Sequence, residues 1–273
     1  MKTYLVDSFT SVPFRGNPAG VCLVDDTISE RLMQSIASEL NLSETAFVSR
    51  LVQGSYSIRY FSPKMEIPLC GHATLAASEV LFSNGSELKS ADRILFKTQS
   101  GLELPILKCD HQIVMEFPVY KLEPAEAPEA MLNALGIEAV NECRFNRENR
   151  ILMLEISDAG KLAELKPDFH KLVASHSAIN GVSVTAKSND QEFDFHSRYF
   201  WPWSGSDEDP VTGGTHTFLA KYWSDKLGKR SMRSFQASAR TGSLDVELLD
   251  QDRLLIKGQA VVVLAGQWMA GEA

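Results

Sequence analysis

The feature that most limits how this chain folds is that its two halves repeat one another. Arg59-Tyr60-Phe61-Ser62-Pro63 returns 139 residues later as Arg198-Tyr199-Phe200-Trp201-Pro202. Pro68-Leu69-Cys70-Gly71 returns as Pro210-Val211-Thr212-Gly213 at a separation of 142, Ser100-Gly101 as Thr241-Gly242 at 141, and Asp110-His111-Gln112-Ile113 as Asp252-Arg253-Leu254-Leu255 at 142. Four matches in one order, in a chain of 273 residues, predict two lobes of the same architecture.

Hydrophobic patterning supplies the elements. Strands are expected at 4–6, 20–24, 45–50, 55–61, 93–98, 102–107 and 111–117, then at 150–156, 180–186, 192–200, 244–249, 253–257 and 260–264. Thr27-x-x-Glu30 reads as a capping box, with Ile28, Leu32, Ile36 and Leu40 forming one stripe of a helix over 28–41. A second helix, from Gly71 to Phe82, is apolar on nearly all sides, and such a helix belongs inside a sheet wrapped around it. Its repeat partner spans 213–227. Shorter helices are expected between Pro128 and Gly136 and ahead of the strand at 180.

The fold class is therefore α+β, with two pseudo-symmetric lobes, each a mostly antiparallel curled sheet or barrel around a central helix. Lys121-Leu122-Glu123-Pro124-Ala125-Glu126-Ala127-Pro128 reads as the linker between lobes 1–120 and 121–273, with the last strand free to return to the first lobe. A pseudo-twofold between such lobes would bring their equivalent helix starts to a shared cleft, where small molecules bind.

A net charge of -8 argues against a nucleic-acid partner, which demands a clustered basic face. No apolar run is long enough to span a membrane, and the expectation is a cytoplasmic protein. Cys22, Cys70, Cys109 and Cys143 are widely spaced, with neither a CxxC pair nor a zinc-type Cys/His spacing, so no metal is expected and all but Cys70 read as plain buried residues.

The unpaired amides of a helix start, approached closely at a glycine, suit a carboxylate or a developing oxyanion at Gly71 and at Gly213. Groups able to move protons flank both: Cys70 and His72 at the first, Asp207, Glu208 and Asp209 at the second. A two-thiol racemase is excluded because the position matching Cys70 is Thr212. Cys70 and His72, two residues apart at a helix start, are not expected to point together. On their own residues, Glu44 reads as a solvated carboxylate at the lip of a strand and Asn17 as a turn residue.

Five stretches in order carry a resemblance: Gly16-Asn17-Pro18-Ala19-Gly20-Val21, Ser43-Glu44-Thr45-Ala46-Phe47, Arg59-Tyr60-Phe61-Ser62-Pro63, Cys70-Gly71-His72-Ala73-Thr74-Leu75 and Glu208-Asp209-Pro210-Val211-Thr212-Gly213. Together with Gly258-Gln259-Ala260-Val261 they resemble the phenazine-biosynthesis PhzF-like family of isomerases over essentially the whole chain. The resemblance implies a diaminopimelate epimerase-like fold and no metal or organic cofactor. It places Glu44 at the family's catalytic glutamate, and His72 and Asp209 at its assisting histidine and aspartate. Asn17, Cys70, Gly71, Thr212, Gly213 and Gly214 become the expected contacts of a small carboxylate substrate. A homodimer is implied by analogy.

One departure stands out: where the family's second motif usually continues Gly-Ser-Ala-His, this chain has Gly213-Gly214-Thr215-His216, which removes a hydroxyl and bears on substrate identity. The expected function is a cofactor-independent isomerase that shifts a proton between carbons of a small cyclic carboxylic acid. A carboxylate doing this near neutral pH must be partly desolvated. The alternative is a ligand-binding or interaction protein on the same fold, without turnover.

Overall fold

The computed structural model describes residues 1–25, 28–52, 54–84 and 92–269. The chain divides into two compact units, Met1–Glu116 with Lys257–Ala273, and Phe117–Ile256.

In the first unit, β1 (Lys2–Ser8) pairs antiparallel with β2 (Asn17–Leu23). After α1 (Glu30–Leu40) comes β3 (Glu44–Val52), parallel to β2 with Ala19 opposite Glu44, and then β4 (Ser55–Phe61), antiparallel to β3. A two-residue β5 (Glu66–Ile67) leads into α2 (Gly71–Asn84), followed by β6 (Arg93–Thr98), β7 (Glu103–Cys109) and β8 (Gln112–Pro118). The C-terminal strand Ala260–Gln267 lies on the free side of β1.

Helix α2 is the core of this unit. Ala73, Leu75, Ala76, Ala77, Val80, Leu81 and Phe82 are all buried, as its all-round apolar sequence predicts, and each large side chain contributes about 1.5–3 kcal/mol on leaving water. Helix α1 covers the other face of the sheet, where Met33, Ile36 and Ala37 pack on Cys22, Phe47 and Phe61. With helices on both faces β3 is buried over its first six residues and reads as a continuous rather than an alternating strand. The start of α1 departs from expectation: its N-cap is Ser29, whose hydroxyl accepts from the Leu32 amide, and Thr27 lies outside the described residues.

The second unit repeats the plan. It contains β9 (Glu123–Pro124), α3 (Glu129–Leu135), β10 (Glu142–Asn146), β11 (Ile151–Glu155), α4 (Ala159–Glu164), α5 (Phe169–Ala174), β12 (Gly181–Lys187), β13 (Phe195–Trp201), β14 (Ser206–Asp209), α6 (His216–Leu227), β15 (Ser231–Gln236), β16 (Gly242–Leu248) and β17 (Arg253–Gly258). Here α6 is the central helix: Trp223 donates its indole N–H to the Thr185 hydroxyl on β12 and stacks on Phe195 of β13 at 5.6 Å. The three short helices pack on the opposite face through Met131, Leu135, Leu162 and Leu172, against Leu152, Val184 and Phe200.

The stretch expected to be a linker is not one. Glu123 and Pro124 pair with Phe145 and Arg144, and the Lys121 carbonyl accepts from the Asn146 amide at 3.0 Å, so sheet hydrogen bonding holds this segment within the second unit. Strands β10, β14 and β15 lie where the hydrophobic pattern predicts none. Among the described residues, no helix is long and apolar enough to cross a membrane.

The repeat holds at the level of atoms. Arg59 forks onto Glu66 through two hydrogen bonds of 2.8 and 2.7 Å, and Arg198 forks onto Glu208 at 2.7 and 2.9 Å. Both guanidinium groups also lie over a phenylalanine two residues on, Phe61 at 5.2 Å and Phe200 at 4.8 Å. Planar, two-point pairing of this kind fixes geometry as well as charge, and in each unit it locks the strand before the central helix to its neighbour.

Candidate active site

The parallel register of β2 and β3 brings the residues of the first half-site together. Asn17 opens β2 and Glu44 opens β3, so their side chains emerge at the same end of adjacent strands. The turn before Asn17 needs Gly16: φ is +66°, and a Cβ there would stand 2.1 Å from the Ser8 carbonyl oxygen. Asn41 ends α1 in the left-handed conformation, which lets the chain turn directly through Ser43 into Glu44.

His72, the second residue of α2, joins them. Its Nε2 lies 3.3 Å from Glu44 Oε2 and 3.3 Å from the Ser43 hydroxyl. Its Nδ1 lies 3.3 Å from the Asn17 amide nitrogen and 3.4 Å from Cys70 Sγ. With an amide N–H donating to Nδ1, that nitrogen accepts, Nε2 carries the hydrogen, and its natural acceptor is the Glu44 carboxylate. The backbone is held as firmly: the Ser8 hydroxyl donates to the His72 carbonyl at 2.8 Å, and the Thr74 hydroxyl donates to the Cys70 carbonyl at 2.7 Å while contacting Tyr60 Oη at 2.6 Å.

Two sequence expectations change here. Glu44 is not a solvated loop residue, for its side chain is only 11% exposed and that of His72 9%. Cys70 and His72, expected to diverge, converge. Cys70 immediately precedes α2, and its Sγ approaches Nδ1 of His72, the second residue of the helix.

The second half-site is built on the same frame with different groups. Asp209 ends β14, is buried, and accepts a hydrogen bond from the Thr212 hydroxyl. Gln236 on β15 clamps the turn from inside: its amide N–H donates to the Asp209 carbonyl at 2.7 Å and its carbonyl accepts from the Thr212 amide at 3.0 Å. Ser238 donates to the Pro210 carbonyl at 2.6 Å. The helix that follows begins at His216, three residues later than expected, and Gly213 and Gly214 lie in the turn ahead of it. His216, the first residue of that helix, is fully buried and donates from Nδ1 to the Thr212 carbonyl at 2.8 Å while its Nε2 accepts from Ser234 at 2.8 Å. Burial lowers its pKa to about 4, so it stays neutral.

Of the expected site residues, Asn17, Glu44, Cys70 and His72 form one contact cluster with Gly71 at the helix start, and Asp209 and Thr212 form another with Gly213 and Gly214 in its turn. Sequence reasoning missed Ser8, Tyr60 and Gln236, which hold these groups. Against expectation, Cys109 is exposed at the end of β7 and Cys143 is half-buried on β10. Burial pushes the thiols of Cys22 and Cys143 up to about 11, which leaves both unreactive.

Residues 6–266 match the family model described as phenazine biosynthesis-like protein. An uncharacterized isomerase of Pseudomonas aeruginosa is 41% identical over 267 residues, which cover 97% of this chain and 98% of that one. A crystal structure of a phenazine biosynthesis protein of the PhzF family from Enterococcus faecalis superposes with a TM-score of 0.89 at 36% identity, over 97% of each chain. A predicted epimerase of Pseudomonas aeruginosa, at 18% identity, a TM-score of 0.73 and 99% coverage of both chains, shares the fold. The fold is thus of the diaminopimelate epimerase-like kind, and the chain belongs to the phenazine biosynthesis-like protein family of isomerase-type enzymes.

Proposed function

We propose that the enzyme moves a proton between two carbons of a small cyclic carboxylic acid, with Glu44 as base and then as acid. The observation that carries this reading is the Glu44–His72 contact at 3.3 Å, between side chains only 11% and 9% exposed. Hydrogen bonding from Nε2 occupies Oε2 and leaves Oε1 to approach a C–H bond. One carboxylate can remove a proton and return it on the same face, so a single base suffices. The reaction changes no oxidation state, and its chemistry calls for no redox cofactor.

His72 is proposed to orient Glu44 and to share its proton, Asn17 to fix the ring that does so, and the amide at Gly71 to hold the substrate carboxylate, since a helix start favours an anion. Cys70 lies close enough to contact the same ligand. In the second unit, Asp209 and Thr212 are proposed as orienting groups and the turn at Gly213 and Gly214 as a further carboxylate contact, on the strength of the family resemblance.

Incubation with candidate cyclic carboxylates in deuterated water tests the reading. Deuterium is expected at a carbon position with the native enzyme and to fall about 10²- to 10⁴-fold in Glu44→Gln. Exchange that survives in Glu44→Gln would refute the assignment.

A further inference from the structure

The duplication leaves one phenol without the partner that its copy has. Tyr60 on β4 and Tyr199 on β13 are equivalent residues of the Arg-Tyr-Phe repeat. In the first unit Tyr60 Oη lies 2.6 Å from the Thr74 hydroxyl of α2. The residue equivalent to Thr74 in the second unit is His216, whose ring bonds to the Thr212 carbonyl and to Ser234 instead. The Tyr199 hydroxyl then has no hydrogen-bond partner among the described residues, although the residue is only 5% exposed.

Its position is that of the second half-site. Tyr199 is the cross-strand neighbour of Asp209, and a Cβ on Gly181 would lie 2.6 Å from its hydroxyl oxygen. Gly181 opens β12 as Glu44 opens β3, so the phenol stands where the first unit has its carboxylate. Trp201, whose ring lies 5.9 Å from that of Tyr199, buries an indole N–H that also lacks an acceptor. An unsatisfied buried donor costs stability, and a phenylalanine would fill the same space without that cost, so packing does not account for the hydroxyl. Burial, and then the charge of Asp209, raise the pKa of the phenol, which keeps it protonated and therefore a donor. The neighbouring carboxylate also disfavours an anion at this point and selects an uncharged oxygen, a hydroxyl or a keto group.

We propose that Tyr199 is a ligand-contact residue, whose hydroxyl donates to an uncharged oxygen on the ring of the bound cyclic acid, apart from its carboxylate. That this ligand is the substrate rests on the isomerase reading; the contact itself does not.

The test titrates the full chain by calorimetry with benzoate and its three monohydroxy isomers. The native protein is expected to bind at least one hydroxy isomer about tenfold more tightly than benzoate, the worth of one hydrogen bond, and Tyr199→Phe to lose that preference while binding benzoate unchanged. Unfolding in denaturant is the structural control: Tyr199→Phe should be as stable as the native chain or more so, whereas Tyr60→Phe, which breaks the bond to Thr74, should be less stable. A preference that persists in folded Tyr199→Phe, no binding or no preference in the native protein, or a loss of stability in Tyr199→Phe equal to that in Tyr60→Phe overturns the contact. Deuterium exchange with the candidate cyclic carboxylates, run in parallel, separates the two readings. A preference lost in Tyr199→Phe without any Glu44-dependent exchange refutes the isomerase reading alone. Glu44-dependent exchange that is as fast in Tyr199→Phe as in the native enzyme refutes the contact with substrate alone.

Discussion

The two units share a frame and differ in chemistry. Both fork an arginine onto a glutamate and lay it over a phenylalanine. In both, a side chain four residues on donates to a carbonyl ahead of the central helix, Thr74 to Cys70 and His216 to Thr212. Yet the register of the parallel strands sets Glu44, the first residue of β3, in the same place as Gly181, the first residue of β12. His72 corresponds in the same way to Gly214, and Ile67, opposite Tyr60, to Asp209, opposite Tyr199. The duplicated parts are those that hold the backbone, while the proton-moving groups have diverged. A frame under packing constraint resists change in both copies, whereas a reaction served by one carboxylate needs it in one copy only.

Gly181 makes that difference a matter of space. A Cβ there would meet the Tyr199 ring at 2.6 Å and the Phe200 carbonyl oxygen at 2.8 Å, so the second unit has no room for a side chain where the first has Glu44. Gly181→Ala is expected to destabilise the protein by about 3 kcal/mol, at the upper end for overpacking, because a backbone atom must move. Denaturant unfolding would measure it, and a loss below about 0.5 kcal/mol would show that the position is open.

The next comparison is between Thr74 and His216, which do the same structural work with different consequences for pH. His216 stays neutral in the fold down to about pH 4, whereas an unfolded histidine takes up a proton near its ordinary 6.5. Between those values the unfolded chain binds more protons, so stability falls as pH falls, by roughly 1.4 kcal/mol per unit, and the contribution is fully present above 6.5. Unfolding measured from pH 7 to 4 should show this slope in the native chain and lose it in His216→Asn. An unchanged slope would place the titration elsewhere.

The smallest effect is expected at Gly214. No atom lies within 4 Å of where its Cβ would be, so Gly214→Ala should change stability by less than about 0.5 kcal/mol. A larger loss would mean that this turn, unlike its counterpart at His72, depends on glycine.

How far the sequence revealed these contrasts depended on which face of each element was buried. The central helices were legible because a helix buried on all sides is apolar on all sides. Strand β15, Ser231-Met-Arg-Ser-Phe-Gln236, was not, because its buried positions include Ser234 and Gln236, which serve His216 and the Asp209 turn in place of apolar packing. The stretch 121–128 reads as a linker because it carries two prolines and two glutamates, and its short strand is held by backbone bonds that such a pattern does not announce. Within the site, Glu44 could be singled out only by resemblance, since its burial comes from strand register. The approach of Cys70 to His72 is hidden from the sequence because Cys70 lies just outside the helix, where helix spacing rules do not apply.

The central claim, that a single carboxylate in the first unit carries the proton from one carbon to another, is most directly tested by isotope transfer. A turning-over substrate, deuterated at the carbon that loses its hydrogen, would be taken through a single turnover in ordinary water and the product examined by NMR. The account predicts that part of the deuterium appears at the receiving carbon, on the face it left. Product carrying only solvent hydrogen, delivered to the opposite face, would contradict it.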